Sequence, residues 1–171
     1  MQRTSAAAGS AVFFILAPGV VAGVVPWWLS GWTIAEPRWP APVRVLGVLL
    51  LLAGAAALVH SFVRFVVEGT GTPAPIAPTK RLVVGGLYRY VRNPMYLAVL
   101  ATITGQALWL CRDALLLYAV AVFAAFASFV RWYEEPTLFS RFGADYSTYR
   151  RAVPGWWPRL RPWEAGSDGP R

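Results

Sequence analysis

Four long apolar runs constrain the fold of this chain more than any other feature of its sequence. They cover about residues 11–29, 45–67, 94–110 and 114–130. Each approaches the ~20 apolar residues that an α-helix needs to cross a bilayer. The last two runs are separated by three residues, so they should form an antiparallel hairpin. We therefore expect an all-α integral-membrane bundle of about four transmembrane helices, with a cytoplasmic C-terminal helical segment.

The composition agrees with a membrane protein. Of the 171 residues, 57% are apolar and 14% are charged, whereas a soluble domain has about 45–50% and about 25%. These figures exclude a disordered chain, a typical soluble enzyme and a basic nucleic-acid-binding domain. The net charge of +8 instead indicates an anionic membrane surface as partner. A single cysteine, Cys111, excludes an internal disulfide framework, and a single histidine, His60, argues against a histidine-based zinc site or triad.

The distribution of basic residues predicts the orientation. Of the 16 Lys and Arg residues, only Arg38, Arg44 and Arg112 fall on the side opposite to both termini. Because positive residues favour the cytoplasm, we expect both termini there, in a plasma or inner membrane. A cleaved signal peptide is the competing interpretation of the first run, since Arg3 precedes it.

We expect one membrane domain over residues 1–171. It should contain a transmembrane hairpin in 1–67, a catalytic region with the second hairpin in 68–163, and a disordered tail in 164–171. Polar residues collect in two cytoplasmic stretches, 68–96 and 131–163, and the chemistry should therefore lie there.

The first stretch contains two motifs. Gly69 and Gly71 precede a proline-rich segment that should be extended and stiff, and that can present backbone N–H groups to a ligand. Further on, Pro94 disfavours helix at Asn93 and can itself begin a helix. Arg92 and Asn93 should then lie at a helix start, where N–H groups and the guanidinium suit a carboxylate or phosphate.

The second stretch begins with the adjacent carboxylates Glu134 and Glu135, which are costly at a membrane boundary without a nearby cation. Arg131, another arginine or a bound cationic cofactor can supply that charge. Pro136 should open a short helix that ends at Gly143, and a further helix should cover 146–153. Its Tyr146, Tyr149 and Arg150 share one face. The tail after Pro154 is predicted to lie at the membrane interface.

One polar stripe lies inside the second apolar run. His60, Arg64 and Glu68 follow one another at four-residue spacing. The stripe either lines a substrate cavity or forms a surface pair beside a packed histidine, and the sequence leaves both interpretations open.

Taken in order, EGTGTPAPIAPT, LVVGGLYRYVRNPMY, YEEP and FGADYSTYRRAVP resemble the isoprenylcysteine carboxyl methyltransferase and phospholipid methyltransferase family of small membrane enzymes. The resemblance covers roughly residues 64–160. It implies S-adenosylmethionine as methyl donor, a cofactor pocket built from the two polar stretches, and a lateral opening for a lipophilic or lipidated acceptor. Asn93 stands where the prenylcysteine enzymes usually have His, so the sequence is more similar to the phospholipid branch.

The resemblance also implies roles for individual residues. The implied catalytic residues are Arg92, Glu135 and Tyr146, with Glu135 or Tyr146 as a general base if the acceptor is an amine. The implied cofactor-binding residues are Gly69, Gly71, Tyr88, Arg92, Asn93, Pro94, Tyr96, Glu134, Glu135 and Tyr149. No metal is implied. Two alternatives remain at this point, namely a sterol-reductase-like oxidoreductase that uses NADPH, and a non-enzymatic membrane subunit or small transporter.

Overall fold

The computed structural model describes residues 17–36, 39–69 and 82–164, with side chains for all of these except 65–69. All regular secondary structure in these ranges is helical, as the sequence predicts. The helices are α1 (Ala17–Ser30), α2 (Ala41–Gly69), a 3₁₀ helix (Gly86–Arg89), α3 (Pro94–Leu110), α4 (Asp113–Phe129) and α5 (Glu135–Ala152). Two π-helical turns occur, Val20–Val24 inside α1 and Val130–Glu134 between α4 and α5.

The predicted hairpin of α3 and α4 is confirmed. Pro94 lies at the start of α3, where its missing N–H costs nothing. Cys111 ends α3 in the left-handed conformation, with φ of 55°, and Arg112 is extended, so the chain reverses within two residues. Leu110 and Leu115 are fully buried on either side of this turn.

Two helical segments are long and apolar enough to cross a membrane, namely Ala41–Arg64 and Asp113–Ala152. The two other predicted crossings correspond to the shorter apolar helices α1 and α3. The 40 residues of Asp113–Ala152 would measure about 60 Å as a straight helix, twice the ~30 Å hydrocarbon core. The apolar part of this segment is α4, whereas α5 carries most of its charged residues.

This continuity corrects one prediction. No break separates α4 from α5 at Pro136, because the π-helical turn Val130–Glu134 leads directly into α5. Pro136 is the second residue of α5, and the first turn of a helix tolerates a residue without an N–H group. The predicted interruption at Gly143 is confirmed as a kink, since its φ of 49° and ψ of −114° are not helical. The helix ends at Ala152, shortly before Pro154.

Helices α2 and α3 pack more extensively on each other than any other pair, and glycine makes this contact possible. A Cβ added to Gly105 would lie 2.5 Å from the backbone nitrogen of Leu51 and 2.7 Å from the carbonyl oxygen of Gly47. A Cβ on Gly54 would meet the backbone of Ala98 at 2.8 Å. Small residues at such positions let membrane helices approach to backbone contact.

Side chains of α3 and α4 hold α1 in place. The Gln106 amide donates to the carbonyl oxygen of Ala22 at 2.7 Å, and the Tyr118 hydroxyl donates to that of Val21 at 2.9 Å. Both carbonyls belong to the π-helical turn of α1. Neighbouring side chains thus satisfy backbone groups at an irregular turn, as an apolar environment requires.

Candidate active site

The two polar stretches meet at Arg92, which lies two residues before α3. Its Nε donates to the carbonyl oxygen of Val153 at 2.9 Å, and its Nη1 donates to Glu135 Oε1 at 2.8 Å and to the Tyr146 hydroxyl at 3.1 Å. The backbone N–H of Arg92 also donates to the carbonyl oxygen of Pro154 at 2.9 Å. One side chain therefore ties the first stretch to both ends of α5.

Glu135 is buried and contacts two arginines. Its second oxygen, Oε2, lies 3.1 Å from Nη2 of Arg150, opposite the contact with Arg92. The prediction that the paired carboxylates need a nearby cation is confirmed for Glu135. Arg92 and Arg150 provide the charge, whereas Arg131 is exposed on the π-helical turn.

The neighbouring carboxylate, Glu134, has a different environment. Its Oε2 accepts a hydrogen bond of 2.8 Å from the Tyr96 hydroxyl. Burial raises the pKa of the Glu134 carboxyl, while the hydrogen bond from Tyr96 offsets part of that rise. The two adjacent glutamates are thus differentiated, because Glu135 is bound by cations and Glu134 by a neutral hydroxyl.

The ring of Tyr96 belongs to an aromatic cluster beside the apolar helices. The ring of Tyr96 lies 4.6 Å from that of Phe126 and 6.4 Å from that of Trp156, measured between centroids. Trp156 in turn meets Phe123 edge-on at 5.1 Å. The hydroxyl of Tyr96 therefore binds Glu134 while its ring packs against the aromatic surface of α4.

Asn93 is buried, and its side-chain amide nitrogen Nδ2 has no hydrogen-bond partner among the described residues. A buried donor without a partner costs about 1–3 kcal/mol, so such groups mark places where a ligand can bind. Gly155 lies beside it, and a Cβ there would be 3.1 Å from Arg92 Nη2 and 3.5 Å from Asn93 Nδ2. The glycine leaves space next to both donors.

Tyrosines of α5 complete the site. The Tyr149 hydroxyl donates to the carbonyl oxygen of Tyr88 at 2.7 Å, which fixes the 3₁₀ helix against α5. Tyr146 and Tyr149 are both buried, as expected for residues on one helix face. Burial raises the pKa of both hydroxyl groups, although Arg92 lowers it in part. Both tyrosines therefore stay protonated at neutral pH.

Most of the predicted site residues line one cavity of about 80 Å³. Its described walls are Leu82, Val83, Tyr88, Arg92, Asn93, Val130, Glu134, Glu135, Leu138, Tyr146 and Tyr149. Ligand pockets usually have about 300–1,000 Å³, so a nucleoside-sized ligand requires these walls to separate. The apolar members of the wall surround a polar centre formed by Arg92, Asn93 and the two glutamates.

Some predicted residues lie elsewhere. Pro94 begins α3, and Tyr96 reaches the cavity wall through Glu134. Gly69 is the last residue of α2, so the extended segment cannot begin before it. Gly71 and Glu68's side chain lie outside the described part of the chain.

The sequence did not reveal how the tail completes the site. After Pro154, the backbone N–H of Arg159 donates to the carbonyl oxygen of Tyr90, and that of Trp163 donates to Arg89, both at 2.9 Å. Trp163 is buried, with its ring 5.4 Å from that of Tyr149. Trp157 and Leu160 remain exposed, so the predicted interfacial role stays a prediction for these two residues.

These features define a helical protein with two segments long and apolar enough to cross a membrane, and with a charged cavity next to the start of α3. The sequence profile of the phospholipid methyltransferase family matches residues 43–145, which is more than half of the chain. The chain belongs to this family, and membership implies a membrane methyltransferase. The matched range includes Arg92, Asn93 and both glutamates, and it ends just before Tyr146. Comparisons with curated proteins and with solved structures find no match.

Proposed function

We propose that this protein transfers a methyl group from S-adenosylmethionine to a lipophilic acceptor at the membrane boundary. The observation that carries the proposal is the convergence of Arg92, the unpartnered Asn93 amide and the two glutamates on one cavity. This set offers both signs of charge within a partly apolar wall, next to helices that are apolar enough for a membrane.

The residues present fit the charged groups of this donor. S-adenosylmethionine carries a carboxylate, an ammonium and a sulfonium. Asn93 Nδ2 and the guanidinium of Arg92 would hold the carboxylate through hydrogen bonds, which are strong when one partner is charged. Glu134 would face a cation, because its second oxygen has no hydrogen bond to an arginine among the described contacts. Gly155 places no side chain next to these two donors.

The bound donor would supply an activated methyl group on sulfur. In the transfer, the bond from methyl carbon to sulfur breaks and a bond from methyl carbon to the acceptor heteroatom forms, so the sulfonium becomes a neutral thioether. The protein's task is to orient the two reactants in line and to exclude water, which can supply roughly 7–11 kcal/mol of barrier reduction. The ion pair of Arg92 with Glu135 would hold these two side chains in fixed positions for this purpose.

The need for a base depends on the acceptor. A carboxylate acceptor gives up no proton, whereas an ammonium must lose one before it can attack. Glu134 fits a proton acceptor better than Tyr146, because burial raises its carboxyl pKa towards neutrality. Glu135 has both oxygens bound to arginines, which favours a positioning role.

We further propose that α1 and α3 cross the membrane together with α2 and α4, with both termini in the cytoplasm. Tyr118 and Gln106 support this arrangement, because they bind the irregular turn of α1 inside the helical bundle. The acceptor would then reach the cavity from the lipid phase, beside the aromatic cluster of Tyr96 and Trp156.

The proposal can be tested with the full chain purified in an uncharged detergent. S-adenosylmethionine binding is measured by calorimetry for wild type, Asn93→Ala and the exposed control Arg151→Gln. Because Asn93 Nδ2 has no partner in the described structure, Asn93→Ala should leave thermal stability unchanged or raise it. The same change should weaken donor binding about tenfold, the effect of one lost charge-assisted hydrogen bond. The control should bind as wild type does.

A transfer assay completes the test. Donor labelled in its methyl group is incubated with the protein and a lipid extract, and the labelled product is identified. Label in a lipid product, lost in Arg92→Gln, supports the proposal. Thermal stabilisation by NADPH alone, or equal donor affinity of wild type and Asn93→Ala, would overturn it.

A further inference from the structure

A second cavity, of about 440 Å³, lies next to the proposed donor site but is separate from it. Its described lining is Arg64, Val84, Gly85, Gly86, Arg89, Trp163 and Glu164. The segment 82–89 forms the wall between the two cavities, because Leu82, Val83 and Tyr88 line the first cavity. The volume of the second cavity is in the range of ligand sites.

The second cavity is rich in hydrogen-bond donors. Arg64 at the end of the apolar part of α2 and Arg89 of the 3₁₀ helix both line it. Trp163 lines it as well, is buried, and has an indole Nε1 without a partner among the described residues. Arg64 and Arg89 thus come from two distant parts of the chain to line one space, with Trp163 in its wall.

Backbone geometry keeps this space open. Gly86 has φ of 57°, which favours glycine, and a Cβ there would lie 2.7 Å from His60 Nε2 and 3.0 Å from Cγ of Arg64. With glycine at both 85 and 86, the wall of the cavity carries no side chain at these positions. His60 and Arg64 of α2 therefore both approach Gly86, and Arg64 lines the cavity.

One guanidinium of the cavity, that of Arg89, already forms an ion pair with a carboxylate of the chain. Glu164 lies 2.9 Å from Arg89 Nη2, and the side chain of Glu164 is 67% exposed. Ion pairs so exposed contribute about 0–1 kcal/mol, so a stronger anion can replace this carboxylate. Arg89 also donates through Nε to the carbonyl oxygen of Trp163 at 2.8 Å, which holds its guanidinium at the cavity.

We infer that this second cavity binds a phosphate group, with Arg64 and Arg89 as its cationic ligands. Two guanidinium groups match the several oxygens and the charge of a phosphate better than those of a single carboxylate. Arg64 ends the apolar segment Ala41–Arg64, so a bilayer crossed by this segment would have its lipid head groups next to the cavity. The phosphate can belong to an anionic lipid or to a soluble phosphate ester, and the experiment separates these sources.

The experiment uses the full chain in an uncharged detergent, without methyl donor. Calorimetry measures binding of a short-chain phosphatidic acid, of inorganic phosphate and of glycerol 3-phosphate. We expect the lipid to bind, Arg64→Gln to weaken its binding about tenfold, and Glu164→Gln to strengthen it about threefold by removing the competing carboxylate. Arg151→Gln carries the same charge change at an exposed position outside the cavity and should have little effect.

Each outcome decides the question. Binding of the lipid alone supports a lipid head group, and binding of the soluble phosphates as well supports a site for the phosphate group itself. An absence of binding, equal losses in Arg64→Gln and Arg151→Gln, or weaker binding in Glu164→Gln would overturn the inference. Because no methyl donor is present, failure here leaves the proposed methyl transfer untouched, and failure of donor binding leaves this site untouched.

Discussion

The two arginines that contact Glu135 should differ strongly in what they contribute to stability. The Arg92 side chain is 14% exposed and that of Glu135 is 10% exposed, whereas that of Arg150 is 46% exposed. A charge pair at ~4 Å is worth about 4 kcal/mol at an effective dielectric constant of ~20 and about 1 kcal/mol in water. After desolvation is subtracted, we expect a coupling of about 2–3 kcal/mol for Arg92 and below about 1 kcal/mol for Arg150.

Double-mutant cycles measure these couplings. Arg92→Gln and Arg150→Gln are each combined with Glu135→Gln, and the free energy of unfolding is measured by reversible denaturation in mixed micelles without donor. The cycle removes the separate contribution of the Arg92 hydrogen bond to Val153, because that bond is lost in both arms. Equal coupling energies for the two arginines, or a larger one for Arg150, would refute the view that Arg92 is the internal link of the site.

Three further predictions concern packing, protonation and the docking of α1. Gly105→Val should lower the free energy of unfolding by about 3 kcal/mol or more, since the valine side chain would meet backbone atoms of α2. Gly23→Ala, at a position with open space around it, should change the free energy of unfolding little. Similar losses of stability for both variants in thermal denaturation would contradict the close packing of α2 and α3. Donor affinity should fall as pH decreases through the raised pKa of Glu134, because protonation removes the negative charge that faces a cation; titrations from neutral towards acidic pH should show this fall at a higher pH than an ordinary carboxyl would give in wild type, and lack it in Glu134→Gln. Gln106→Leu removes the hydrogen bond to Ala22 and should cost about 1–2 kcal/mol, with faster proteolysis of α1 in micelles; unchanged proteolysis would argue against this role.

The sequence predicts the helices well because their determinants are local. Apolar runs indicate α2, α3 and α4, and Pro94 marks the start of α3 to the residue. The interruption at Gly143 also follows from a single residue type. The join between α4 and α5 was missed because proline usually signals a new helix, and a π-helical turn has no clear sequence signature.

For the candidate site as well, the local features were predictable from the sequence and the contacts between distant residues were not. Adjacent glutamates at a membrane boundary predict a cation nearby, but spacing alone cannot choose between Arg131, which is near in sequence, and Arg92, which lies 43 positions away. The contact of Tyr96 with Glu134 and the return of the tail to Tyr90 are equally non-local. Such contacts join parts of the chain that are far apart in sequence and are visible only in three dimensions.

The glycine contacts between α2 and α3 bear on how a lipophilic acceptor would enter under the proposed function. Backbone lies against backbone from Gly47 to Gly54, so this side of the helix pair offers no gap for a lipid tail. An acceptor from the bilayer would instead approach along the part of α4 that carries Phe123 and Phe126. The closest helix packing in the described structure would thereby leave the acceptor one way in.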